Sequence, residues 1–343
     1  MTAKTYKLAF IGCGNIAQKH ARVLANMSRA EIVGCTDSDP DKLLKFSQEN
    51  ALVPFPDISS LVKKVNPDLF VVLTPSGDHV NQVTDLAGYK KPIIVEKPLA
   101  LNLDDADKMI ETCEKEGTKL FVVKQNRFNR AALALKKVIE EGRLGQLTTG
   151  SIRVRWKRDQ SYYDANEWRG TLAMDGGVLP NQAAHHIDLL LWMMGPVSSV
   201  MAESDTFLVD IEAENTVSAV LRFKNGAIGN IEATTATRPN DTEGSVSILG
   251  KRGTIEVSGF AMDKLLRWDI EDPTEEDQNI FETAGKNPDE FGYSHRKYYE
   301  AVFDHLDAKP SNSAVIGGFE ARKTIALFSA IRKSARTGEK VTL

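Results

Sequence analysis

Two textures of hydrophobic patterning divide the chain. Over residues 7–124, short β-branched runs at 7–11, 30–35, 69–73, 93–95 and 120–123 alternate with stretches of helical length. That alternation predicts a parallel sheet connected by crossover helices. One further helix is expected over 131–140, ended by Gly142. Beyond it the apolar segments lengthen and alternate with polar residues at 148–156, 197–207, 216–223, 227–233, 245–249 and 254–257. Lys224-Asn225-Gly226 and Gly250-Lys251-Arg252-Gly253 are turn sequences that join neighbouring segments as hairpins, which predicts an open, mainly antiparallel sheet. Few helices are left to cover that sheet, and its free face suggests association between copies of the chain. The acidic, polar stretch 269–290 reads as a loop. Helices near 294–306 and 319–336 close the chain and are expected to pack beside the first domain. The fold class is therefore α/β, with a parallel-sheet domain over 1–124, an α+β domain over 125–293 and C-terminal helices over 294–343.

Composition narrows the function classes. A length of 343 residues suits two domains, and 42% apolar with 26% charged residues is a soluble, globular balance. No run of about 20 consecutive apolar residues is present, so no membrane span is expected. The segment Leu8-Ala9-Phe10-Ile11 is too short for a signal-peptide core, and a cytoplasmic location is expected. Cys13, Cys35 and Cys113 are an odd number without paired spacing, which predicts neither disulfides nor a metal site. A net charge of -4 without a basic block argues against nucleic acid as partner and leaves small molecules.

The first chemical motif is Gly12-Cys13-Gly14-Asn15-Ile16-Ala17, between the first strand and a helix. Gly12 permits a tight turn, Gly14 admits a pyrophosphate to the backbone, and Ala17 allows close packing of helix on strand, so the first domain reads as a Rossmann domain. Asn15 and Ile16 open the helix whose N-terminus faces the phosphates. Asp37 ends the second strand, where an acid binds ribose hydroxyls and repels a 2′-phosphate. Ser38 and Asp39 follow it with no arginine, which favours NAD over NADP. Thr74-Pro75 lies on the carboxyl edge of the sheet, and His79 is either a cofactor neighbour or an ordinary helix-start residue.

Two further features carry chemistry. Glu96-Lys97-Pro98 places a lysine at a strand end, its backbone restricted by the proline. Gly176-Gly177 opens a predicted helix to Met194 on which Asn181, His185 and Asp188, at i, i+4 and i+7, share one face, while His186 points elsewhere. A polar face on so apolar a helix argues for a pocket.

Taken in order, Gly12-x-Gly14-x-x-Ala17, Thr74-Pro75 with His79, Glu96-Lys97-Pro98, Trp168-Arg169 and the Gly-Gly to His185-x-x-Asp188 segment resemble the glucose-fructose oxidoreductase and inositol dehydrogenase family (Gfo/Idh/MocA) over nearly the whole chain. The resemblance implies hydride transfer at a sugar or polyol carbon, a cis Lys97-Pro98 bond, and Lys97 with His185 at the reacting hydroxyl. It also implies that Glu96, Gln125, Trp168 and Arg169 border the cofactor. Many members carry Asp where this chain has Asn181, and an amide takes up no proton, so a Lys, Asp, His relay is not expected.

Within the family, the helix around Asn181 and the segment Lys124-Gln125-Asn126-Arg127-Phe128-Asn129 look most like the UDP-N-acetylglucosaminuronate 3-dehydrogenases of bacterial surface polysaccharide synthesis. Those enzymes imply a homotetramer, with a homodimer as the alternative. A uronate and a diphosphate need cationic and amide partners. Arg127, Asn129, Tyr163 and Arg169 fall in segments that should supply them. Tyr163, with Tyr162 beside it, reads equally well as part of a loop packed on the sheet, and His295 as a substrate contact, a subunit contact or a surface residue. A free sugar or polyol dehydrogenase is the alternative enzyme, and a non-catalytic NAD-binding regulator is the alternative of another class.

Overall fold

The computed structural model describes residues 4–285, 291–309 and 315–343. Strands β1 (Tyr6–Ile11), β2 (Ala30–Thr36), β3 (Leu69–Val72), β4 (Ile93–Val95) and β5 (Leu120–Val122) form one sheet in the order β2-β1-β3-β4-β5, every pair parallel. Helices α1 (Asn15–Leu24), α2 (Pro40–Glu49), α3 (Ile58–Val65), α4 (His79–Ala87) and α5 (Leu103–Glu116) lie along the connections between strands. Local signals set their ends. Asp39 accepts the Asp41 and Lys42 backbone N–H groups ahead of α2, and Gly117, at φ 67°, closes α5. Because β1 pairs with β2 on one side and β3 on the other, the connections diverge at its carboxyl end, the topological switch point where such sheets bind ligands.

A second compact unit begins at Lys124. Its helices are α6 (Arg130–Glu140), α7 (Gln160–Asp164), α8 (Val178–Asn181), α9 (Ala184–Met194), α10 (Glu275–Gln278) and α11 (Ile280–Thr283). Its strands are β6 (Leu147–Arg155), β7 (Val197–Asp205), β8 (Thr216–Phe223), β9 (Ile228–Thr234), β10 (Glu243–Gly250), β11 (Gly253–Ser258), β12 (Lys264–Ile270) and β13 (Val341–Thr342). They run β12-β11-β10-β6-β9-β8-β7-β13, antiparallel except for the parallel pair β6-β9. The turns before Gly226 and Gly253 do form hairpins. On β8, Val217, Ala219, Leu221 and Phe223 are buried while the residues between them are exposed, so one face of the sheet is core. Helix α9 packs on that face. A Cβ at Gly150 of β6 would come within 3 Å of Leu190 and Met194, so the strand's glycine is what allows the helix so near.

The expected loop 269–290 is corrected by this sheet. Its first residues end β12, and Thr274 with Asp277 forms a capping box that starts α10, followed by α11. Strand β12 is an edge strand whose exposed positions carry Lys264, Arg267 and Asp269, which masks its alternation in the sequence. Residues 286–290 of that stretch lie outside the described residues.

The chain then divides. Phe291–Arg322, including α12 (Tyr293–Leu306) and the start of α13 (Gly318–Thr337), belongs with the first unit, and Lys323–Leu343 with the second. In the first unit Tyr6 stacks on Phe303 at 4.7 Å, and Arg29 pairs with Asp304 and Asp307 at 2.7 and 2.6 Å. In the second, Ser334 accepts the Ala202 N–H and β13 extends the sheet edge at β7.

Candidate active site

The carboxyl edge of the five-stranded sheet collects the first group of expected residues. Gly12 follows β1 at φ 101°, and a Cβ there would meet the Leu73 and Thr74 backbone within 3 Å, so only glycine fits. Gly14 precedes α1, no side chain caps that helix, and nothing lies within 4 Å of where a Gly14 Cβ would be. The N–H groups of the first turn, with Asn15 and Ile16, therefore open onto free space. Asp37, at the end of β2, accepts the Cys13 and Asp39 N–H groups at 2.7 and 2.8 Å, one on each oxygen, and Ser38 lies between them. Next to this loop the Thr74 hydroxyl is buried without a hydrogen-bond partner among the described residues. A dinucleotide with its pyrophosphate on α1 fits each of these features.

His79, first residue of α4, is buried with Nδ1 2.9 Å from the Pro98 carbonyl and Nε2 3.1 Å from the Thr74 carbonyl. Its ring joins the Thr74-Pro75 turn to the cis Lys97-Pro98 peptide. Burial lowers its pKa below the ordinary histidine value. Glu96 is buried at the end of β4. Burial pushes its carboxyl up, but the His20 hydrogen bond and the charge and backbone N–H of Lys97 outweigh that and hold it below the usual carboxylate range. Lys97 itself is half-buried.

In the second unit the expected continuous helix from Gly177 to Met194 is corrected to two. The Ala183 N–H bonds the Val178 carbonyl, five residues back, and this wide turn separates α8 from α9. Asn181 therefore leaves the register of His185 and Asp188. Its amide nitrogen instead donates to Asp175, a buried carboxylate that also accepts the Gly170 N–H. His185 faces Gln125, whose amide nitrogen lies 3.0 Å from Nε2. Asp188, one turn on, is fully buried and takes Arg127 in a two-pronged pair at 2.8 and 2.9 Å, with Lys124 at 3.4 Å. Burial raises its pKa, yet Arg127 and Lys124 prevail and keep it ionised below the usual range. Gln125 and Arg127 share one short 3-10 turn, so the Asp188 pair anchors the segment that touches His185.

Two expected substrate contacts thus have other occupations. Arg127 gives two guanidinium nitrogens to Asp188 and stacks over Trp192 at 5.0 Å. Asn129 is buried and donates to the Ala261 carbonyl. Tyr163 is also buried, its hydroxyl 2.9 Å from that of Thr235, and the expected loop around it is helix α7. Its neighbour Tyr162 is half-buried. Its hydroxyl takes bonds from Arg169 and Gln182, and Arg169 and Arg158 lie over its ring at 4.1 and 5.3 Å. Arg169 also stacks on Trp168 at 4.8 Å, and its Nε is buried without a partner among the described residues. His295 is 1% exposed within the first unit, edge-on to His20, which corrects its reading as a surface residue.

Comparison with known proteins follows this division. Residues 6–124 match the model of an oxidoreductase family with an NAD-binding Rossmann fold (GFO_IDH_MocA), and 132–256 match the GFO/IDH/MocA C-terminal domain. The WlbA dehydrogenase of Bordetella pertussis, solved with NADH and UDP-GlcNAcA, is 37% identical over 100% of this chain and 99% of its own, with a TM-score of 0.94. WlbA of Chromobacterium violaceum, solved with the same two ligands, is 33% identical over 100% and 97%, with a TM-score of 0.92. Myo-inositol 2-dehydrogenase of Thermotoga maritima is 29% identical over 66% of this chain and 67% of that protein.

Proposed function

The chain belongs to the GFO/IDH/MocA oxidoreductase family, and from that premise we propose that it oxidises the carbon-3 hydroxyl of UDP-N-acetylglucosaminuronate with NAD. At the coarser level it is an NAD-dependent sugar dehydrogenase with an NAD-binding Rossmann domain. The observation that carries the finer reading is likeness over the full chain to two enzymes solved with NADH and that nucleotide sugar. The cluster of Arg158, Arg169 and Tyr162 supports it, because an arginine whose Nε is buried without an acceptor suits a carboxylate or phosphate oxygen.

In this reading the Gly14 loop and Thr74 hold the pyrophosphate and Asp37 the ribose hydroxyls. NAD, when bound, supplies the acceptor for the hydride of the sugar carbon. The protein's own work is on the hydroxyl: Lys97 donates to the reacting oxygen and steadies its growing negative charge, and His185 takes its proton as the alcohol becomes a ketone. Trp168 with Arg169 shields the cofactor, and Asn181, held by Asp175, orients substrate. Exposed Met201, Val220 and Ile228 on the outer face of the second sheet suit association between copies, as a tetramer or dimer in the cytoplasm. Among the described residues no helix is long and apolar enough to cross a membrane.

The test is absorbance of reduced cofactor with purified enzyme, NAD and three substrates. UDP-N-acetylglucosaminuronate should turn over, and UDP-N-acetylglucosamine should be at least roughly tenfold poorer, since a lost charge-assisted hydrogen bond costs about 1.5 to 3 kcal/mol. A preference for myo-inositol would favour the second reading, a polyol dehydrogenase, to which the Thermotoga maritima likeness points.

A further inference from the structure

Inside the first unit, α1 and α12 bring three rings against the Glu96 carboxylate. His20 Nε2 lies 2.9 Å from Glu96 Oε1, while Oε2 accepts the Lys97 backbone N–H at 2.8 Å. On the other side of the imidazole, Nδ1 lies 2.6 Å from the Tyr299 hydroxyl. His295 stands edge-on to His20 with ring centroids 5.2 Å apart. His20, Tyr299 and His295 are each at most 1% exposed. Glu96, locked through both oxygens, is the residue immediately before Lys97.

We infer that His20 is a positioning residue for Lys97: it grips the Glu96 carboxylate that in turn grips the Lys97 backbone, and Tyr299 selects the His20 nitrogen that does so. This rests on the reading of Lys97 as the group at the reacting oxygen. The selection is a matter of tautomers. Burial holds the Tyr299 phenol well above its ordinary pKa, so its O–H persists as a donor. With Nδ1 accepting that hydrogen, Nε2 carries the N–H that an ionised carboxylate requires.

Charge follows from the same contacts. The titratable groups facing Glu96 are Lys19 and His20 from α1, His79 from α4, Lys97, and Tyr298 and Tyr299 from α12, with His295 behind His20. Of these, His20 and the Lys97 backbone hydrogen-bond the carboxylate. Without the imidazole donor, burial drives the Glu96 carboxyl toward its neutral form. Lys97 then loses the anion that favours its ammonium.

The experiment reads Lys97 directly. Purified full-length enzyme is labelled competitively with acetic anhydride across pH, and acylation of Lys97 is quantified by peptide mass spectrometry beside kcat and KM profiles. In His20→Leu the Lys97 midpoint should fall by about one pH unit, and the basic limb of kcat should move with it. His20→Gln, whose amide nitrogen can take the place of Nε2, should restore both, and Tyr299→Phe should fall between. An unmoved midpoint in folded His20→Leu, with only a lower Tm, would overturn the inference and leave His20 a packing residue. If His20→Leu does not fold, Tyr299→Phe carries the test, since it deletes one oxygen, and an unmoved midpoint there overturns the inference equally. The ligating atoms of His20, Glu96 and His295 lie within 4.8 Å of one another. Loss of activity on chelation with recovery on zinc would therefore also overturn it, making the cluster a metal site. Normal turnover in Lys97→Met would instead refute the role of Lys97, while the labelling midpoints in the His20 and Tyr299 variants would still report on the link.

Discussion

The amide nitrogen of Gln125 stands 3.0 Å from Nε2 of His185, and that contact assigns the ring. An amide N–H donates, so Nε2 of the neutral imidazole accepts it, and taking the substrate proton at Nε2 requires that this bond be given up. Among the described residues the Oε1 atom of Gln125 is buried without a partner, which leaves an acceptor for a donor on a ligand.

Gln125→Leu removes both of those functions and keeps much of the volume. Two neutral hydrogen bonds at about 0.5 to 1.5 kcal/mol each predict a loss of roughly tenfold or somewhat more in kcat/KM with a nearly unchanged Tm. His185→Asn removes the base itself and should lower the hydride-transfer rate by about 100-fold to 10,000-fold while leaving NAD affinity nearly intact. Stopped-flow measurement of reduced cofactor under single turnover separates the two. Equal losses in both variants would mean that Gln125 does more than orient the ring.

Asp188→Asn tests the anchor beneath this pair. It leaves Arg127 and Lys124 buried beside an amide in place of a carboxylate, and breaking a buried pair by removing one partner costs about 3 to 5 kcal/mol. Urea unfolding should show that loss together with reduced turnover, because the turn carrying Gln125 is no longer held. A stability within about 0.5 kcal/mol of wild type, the range of ordinary surface substitutions, would show that the contacts of Asp188 with Arg127 and Lys124 are not structural.

The residues that depend on local backbone chemistry were legible from the sequence. Gly12 and Asp37 stand at strand ends in the first sheet, where short apolar runs and glycine turns leave few alternatives, whereas the cis Lys97-Pro98 peptide followed from the family resemblance alone. Strand β12 was missed because an edge strand exposes most of its side chains and so resembles a loop. The break between α8 and α9 was missed because one five-back hydrogen bond, invisible to a count of residues, turns Asn181 away from His185. Arg127 and Asn129 were given to substrate because charge and amides are what a uronate needs. The same chemistry serves a buried carboxylate and a loop carbonyl, and sequence cannot choose between those partners before the fold brings Asp188 and Ala261 near.

Buried histidines predict an acid-labile fold. His186 packs edge-on to Trp156, neither ring nitrogen has a hydrogen-bond partner among the described residues, and burial pushes its pKa down to about 3. The folded value is depressed below the unfolded value of about 6.5, so its contribution is present above pH 6.5 and is lost as the pH falls toward about 3. Over that window one histidine adds a slope of up to about 1.4 kcal/mol per pH unit. His186→Leu should therefore cost stability at pH 7.5 through lost packing, yet lose less than wild type between pH 6.5 and 4.5. Calorimetric Tm curves that run parallel over that range would show that His186 is not buried in its neutral form.

Cofactor choice turns on Asp37. One carboxylate oxygen accepts the Cys13 N–H and the other the Asp39 N–H, so the side chain is fixed at the end of β2 with lone pairs left for a ribose diol. A 2′-phosphate there would meet a carboxylate with Ser38 and Asp39 next in sequence and no arginine among residues 30–50 to offset the repulsion. NAD should thus bind more tightly than NADP, by at least roughly tenfold if the diol loses one charge-assisted bond of about 1.5 to 3 kcal/mol. Asp37→Ala should weaken NAD, because it removes the ribose contact and also releases the Cys13 and Asp39 amides that hold the glycine loop. It should weaken NADP less, because the repulsion goes with the charge, so the ratio of the two dissociation constants narrows. Calorimetric titration of both nucleotides into both proteins measures the four constants. Equal affinity in wild type, or a ratio unchanged by the substitution, would place the discrimination elsewhere in the first unit.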